Sequence, residues 1–229
     1  MNASDRLHRA RTLTLEGRFA EALTEFEWFH ENALAEEPSL RGVRRSFALS
    51  YWAELGEQYT PALNALAALR DQGHAALLTD KRDLSLFADV ASINRYLKDE
   101  LATYQLFREL HRSTPEFAAS CFQHAVAAVV AAKDFHLARG YISDPGASLS
   151  ALLQDFNESV ARALQLPDKR RRAPRLKAYT TNFVSDVRLL LNVVRNTDGA
   201  PEADQLARAS IVGVVQEAIR KRVARKVDA

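Results

Sequence analysis

The sequence predicts an all-α protein, and three observations carry that prediction. Eight glycines and seven prolines in 229 residues are too few for the frequent turns of an all-β chain, while alanine, leucine, arginine and glutamate, all strong helix formers, are abundant. Apolar residues recur at helical spacing almost from end to end, with no run of strand-like alternation. Glycine and proline cut that periodicity into short pieces, among them Gly17, Pro38, Gly56, Gly73, Pro115, Gly140, Pro145, Pro167, Pro174 and Gly199 with Pro201.

The resulting elements are about eleven helices, over 3–16, 19–36, 39–55, 60–72, 80–96, 99–112, 115–132, 135–142, 147–165, 172–196 and 201–227. Thr60-Pro61 and Thr114-Pro115 each place a hydroxyl cap before a proline at the first helical position, where its missing N–H costs nothing. Pro201 serves the last helix in a similar way. The connections are short, so successive helices are expected to pack as antiparallel neighbours.

A repeat emerges when the chain is aligned on Ala22: Ala62 follows forty residues later, Ala102 forty after that, and Ala138 thirty-six further on. Three residues before each stand Phe19, Tyr59, Asp99 and Phe135; four residues after stand Phe26, Leu66, Leu106 and Ile142. Twelve before stand Ala10, Ser50, Val90 and Val126. Packing explains the order. Gly17 suits a left-handed turn between two helices. The aromatic closes the hairpin, alanine admits a neighbouring helix closely, and the large apolar residue one turn on fills the next layer. One such hairpin cannot bury its apolar face; a stack can.

Gly17, Phe19, Ala22 and Phe26 resemble the glycine, aromatic, alanine, large-apolar order of the tetratricopeptide repeat (TPR). The resemblance covers about residues 3–142, with a longer period than the family's roughly 34 residues. It implies a TPR-like α-α superhelix over 1–146, closed by a C-terminal helical capping bundle over 147–229 that packs on the repeats as one unit. It also implies a concave groove lined from the first helix of each hairpin. Carried over residue by residue, the lining is Leu7, Arg11 and Leu15; Arg44, Phe47, Tyr51 and Glu54; Leu84, Phe87, Asn94 and Arg95; and Gln123, with Arg11, Arg44, Phe47, Tyr51, Phe87, Asn94 and Arg95 its principal contacts. The arginines could hold carboxylates bidentately and the aromatics could offer apolar contact. For the aromatics, a place in the core is the other reading.

The last third carries apolar stripes but no such repeat: Leu149, Leu152, Leu153, Phe156, Val160 and Leu164; then Tyr179, Phe183, Val187, Leu190 and Val194; then Val212, Val215, Ile219 and Val223. Between the first two stripes, PDKRRRAPRLK supplies Lys169, Arg170, Arg171, Arg172, Arg175 and Lys177. A phosphate-binding patch and a solvated charged loop are both open readings. Charge is unevenly spread: residues 1–166 hold 17 Lys and Arg against 22 Asp and Glu, and residues 167–229 hold 14 against 7.

No phosphate-binding glycine loop, nucleophile elbow or zinc-protease helix motif is present. Cys121 and His124 share a helical spacing used in metal sites, but no second pair completes one, so neither a metal nor a cofactor is expected. A lone cysteine fits a reducing compartment. No apolar run reaches signal-peptide or membrane-span length. The expectation is therefore a cytoplasmic, non-catalytic scaffold for a protein or peptide partner, of adaptor, chaperone or immunity type. Its alanine- and arginine-rich composition suggests a bacterial source. The alternative is a binder of nucleic acid or another anionic surface through the basic last third; self-association is compatible with either.

Overall fold

The computed structural model describes residues 1–79 and 82–227, except the side chain of Lys169. Among these the chain is all-helical. The helices are α1 (Ala3–Leu15), α2 (Phe19–Glu36), α3 (Arg41–Arg44), α4 (Phe47–Gln58), α5 (Thr60–Thr79), α6 (Leu84–Tyr96) and α7 (Glu100–Ser113). There follow α8 (Pro115–Ala131), α9 (Phe135–Gly140), α10 (Pro145–Leu164), α11 (Lys169–Thr197), α12 (Ala200–Val212) and α13 (Glu217–Val227). A 3-10 turn, Pro38–Leu40, precedes α3.

The chain divides into two compact units, Met1–Ala128 and Val129–Ala229. The division between these units falls inside α8. In the first unit, α1 pairs with α2, α4 with α5 and α6 with α7, while α1, α4 and α6 lie in a row. The repeat positions form its core. Ala22 and Ala62 are fully buried, as are Phe26, Leu66 and Leu106; Ala102 is only half-buried. Phe19 and Tyr59, equivalent positions of consecutive hairpins, place their ring centroids 5.9 Å apart. The fourth alanine, Ala138, is buried in the second unit, where α9 packs on α11.

Three hairpin turns share one geometry. Gly17, Lys98 and Lys133 all have positive φ, near 76°, 58° and 59°. In each turn the next residue's N–H reaches a carbonyl five back: Arg18 to Leu13, Asp99 to Asn94 and Asp134 to Val129. This is the left-handed helix cap that glycine favours. Two of the three turns place lysine there, against the steric preference of an L-residue. Lys98→Gly and Lys133→Gly are therefore each expected to stabilise the protein by about 0.5–1 kcal/mol in urea unfolding.

Several expected boundaries move, for identifiable reasons. Gly56 and Gly73 do not end helices; both lie inside them. A Cβ on Gly56 would stand 3.2 Å from the Leu63 Cβ, and one on Gly73 2.6 Å from a Val90 methyl. They are close-approach glycines, and α5 runs through Gly73 to Thr79. The expected start at 80 lies outside the described residues; α6 begins at Leu84, capped by Asp83. The expected helix 39–55 breaks at Arg45 and Ser46, and 201–227 breaks between Val212 and Glu217. The basic stretch is helix rather than loop: α11 starts at Lys169 behind an Asp168 cap, with Pro174 in its second turn.

Candidate binding face

The break after α3 aims two guanidiniums at one carboxylate. Arg44 Nη1 donates to Asp89 Oδ2 at 2.6 Å, and Arg45 Nε donates to Asp89 Oδ1 at 2.7 Å. Arg44 Nε also donates to the His30 carbonyl at 2.7 Å, and its Nη2 stands 2.8 Å from His30 Nε2. A guanidinium only donates, so Nε2 accepts and neutral His30 carries its proton on Nδ1. Arg45 completes the clamp on the Ser85 carbonyl and hydroxyl, at 2.9 and 2.8 Å. The network ties α2, the α3–α4 bend and α6 together. Arg44, expected in the groove, is thus a structural ion-pair partner, because its charge is needed inside.

Burial likewise removes Phe87 and Asn94 from the groove. Both are fully enclosed. Asn94 Nδ2 donates to Thr103 Oγ1 at 3.0 Å, and its Oδ1 accepts from Arg70 Nη1 at 3.1 Å. Their place on a first helix was legible; the rotation of that helix was not.

Of the expected groove residues, Arg11, Phe47, Tyr51 and Arg95 lie on the row of α1, α4 and α6. Phe47 is 61% exposed and lies beside half-buried Tyr51, ring centroids 6.4 Å apart. The Arg11 guanidinium sits 4.4 Å from the Tyr51 ring centroid and donates to its hydroxyl at 3.1 Å. On the other side Arg95 donates to the Arg45 carbonyl at 3.4 Å, two residues before Phe47. The result is a strip in which two exposed guanidiniums flank two aromatic rings. Leu15, 82% exposed on α1, extends its apolar part.

On α11, Arg170, Arg171, Arg175 and Lys177 are exposed, and Arg172 is half-buried with its Nε donating to the Leu166 carbonyl. Lys169 lies in the first turn, its side chain outside the described residues. Arg171 pairs with the Asp168 cap at 3.5 Å.

Cys121 is buried, which pushes its thiol up to about 12, far from a reactive thiolate. His124 is pushed below its ordinary value by burial and by Arg45. Among the described residues no three His, Cys, Asp or Glu side chains gather as metal ligands. A cleft of about 180 Å³ between α2, α4 and α5, with His30 and Trp52 inside and Glu27 and Glu31 at its edge, has room for a side chain or two.

His30 also sets a pH dependence. Burial, reinforced by Arg44 and opposed by Asp89, lowers its pKa from 6.5 to about 4. The folded state therefore holds His30 neutral where the unfolded chain binds a proton. Its stabilisation is full above about pH 6.5 and is lost as pH falls towards 4. Unfolding free energy is expected to drop by about 2 kcal/mol between about pH 7.5 and about pH 5. In His30→Gln that drop should largely vanish, as read from urea midpoints.

Compared with known proteins, the chain matches no family, no curated protein and no solved structure. No helix among the described residues is long and apolar enough to cross a membrane.

Proposed function

We propose that this protein is a non-catalytic, TPR-like binding scaffold of adaptor, chaperone or immunity type, acting in the cytoplasm. The strip on α1, α4 and α6 takes an extended segment of a partner protein bearing carboxylates and at least one large apolar side chain. The observation that supports this most is Phe47: a phenyl ring left largely in water, with Arg11 and Tyr51 on one side and Arg95 on the other. Guanidiniums beside aromatic rings suit a segment that brings both charge and an apolar anchor.

A displayed random-peptide library tests the reading whatever the natural partner is. Selection on the natural protein is expected to enrich acidic, apolar-containing peptides. A variant carrying Arg11→Glu, Phe47→Ser and Arg95→Glu should lose them at an unchanged melting temperature. Peptides that bind both proteins equally would place the binding elsewhere.

A second reading rests on the exposed Arg170, Arg171, Arg175 and Lys177 at the start of α11, a cluster suited to nucleic-acid phosphates. It requires a low-salt gel shift that disappears when these four charges are removed.

A further inference from the structure

The apolar stripe expected over Val212, Val215, Ile219 and Val223 is split by the bend between α12 and α13. Ile219 and Val223 are buried, while Val212 and Val215 stand 72% and 68% exposed. The bend that exposes them is firmly held. Asn157 of α10 donates from Nδ2 to the Gly213 carbonyl at 2.9 Å and accepts the Val215 N–H on Oδ1 at 3.1 Å. Gly213 lies so close to α10 that an added Cβ would fall 2.4 Å from a Leu153 methyl. Arg220 Nε then donates to the Val214 carbonyl at 2.7 Å. A side-chain clamp, a close-packed glycine and an arginine thus fix two valines in water.

The helices on either side of the bend carry exposed basic residues. Arg208, one turn before Val212 on α12, is exposed, and Lys221, Arg222, Arg225 and Lys226 are exposed on α13. Ala218, Lys221, Arg222 and Arg225 follow the i, i+3, i+4, i+7 spacing of one helical face, opposite buried Ile219 and Val223. Among the described residues Glu217 is the only carboxylate of α13, and it is taken by Lys221 at 2.8 Å.

A basic helical face alone would suit any polyanion. Two rigidly displayed valines add something a nucleic-acid backbone has no use for and an acyl-chain boundary does. We propose that the α12–α13 bend and the outer face of α13 form a peripheral docking surface for a bilayer containing anionic lipids. Val212 and Val215 enter the headgroup boundary, and Arg208, Lys221, Arg222 and Arg225 meet the lipid phosphates. This surface is independent of the strip on α1, α4 and α6.

The test is co-sedimentation of the full chain with vesicles of phosphatidylcholine, with and without phosphatidylglycerol. Binding is expected only with the anionic lipid and should weaken as salt rises. Arg222→Glu with Arg225→Glu should reduce partition at least about tenfold. Val212→Ser with Val215→Ser should reduce it about fivefold. All four positions are exposed, so circular dichroism melts should coincide with that of the natural protein. Absence of binding to anionic vesicles overturns the proposal. So does vesicle binding that ignores the valine changes, or a gel shift with RNA or DNA that the charge reversals abolish and the valine changes leave intact. Either of the last two results marks a surface that reads charge alone.

Discussion

Replacing Asp89 by alanine is expected to lower unfolding free energy by about 3–5 kcal/mol, the cost of stranding buried charge. Asp89 is nine-tenths enclosed and is the carboxylate shared by Arg44 and Arg45, whose side chains are 12% and 19% exposed. Its loss leaves both guanidiniums at the α3–α4 bend without their shared counter-charge. Arg44 would still hold the His30 carbonyl and Arg45 the Ser85 oxygens, so relaxation into water would have to break those bonds as well. Asp89→Asn, which keeps the shape and one acceptor, should cost less. Urea unfolding by circular dichroism measures both. Near-equal stability of Asp89→Ala and the natural protein would mean that the bend is held by apolar packing instead.

A second large effect separates two phenylalanines that look alike in sequence. Phe87→Ala is expected to cost about 3–5 kcal/mol, because the ring is fully enclosed in the first unit. Phe47→Ala should change stability by no more than about 0.5 kcal/mol, its ring being mostly in water already. The contrast has a functional corollary: Phe47→Ala should weaken a peptide bound on the strip while the fold stays intact. Thermal melts and urea midpoints of the two variants, measured side by side, check the division between core and binding face.

The hairpin core was legible because its signals are local. Alanine and a large apolar residue one turn apart mark the buried face of a helix, and Ala22 with Phe26 and Ala62 with Leu66 occupy it. Glycine was harder to read because it has two uses. Gly17 serves a left-handed turn, whereas Gly56 and Gly73 serve close approach, and only their neighbours Leu63 and Val90 reveal which. Lys98 and Lys133 take the turn geometry with no residue signal at all. Arg11, Phe47 and Arg95 lie on first helices and stay exposed, with Tyr51 half-buried. Arg44, Phe87 and Asn94 occupied comparable places and turned inward, since a few tens of degrees of helix rotation exchange solvent for core. Sequence periodicity puts Val212 and Val215 in one stripe with Ile219, whereas both valines stand exposed. Periodicity assumes an unbroken helix, and the bend at Gly213 resets its phase.

An NMR titration of the natural protein with a peptide selected on it tests most directly whether partner segments lie across α1, α4 and α6. Chemical-shift changes are expected at Arg11, Phe47, Tyr51 and Arg95 and their immediate neighbours, with Phe26 and Leu66 in the core largely unmoved. Changes centred on any other surface, with the strip silent, would contradict that placement.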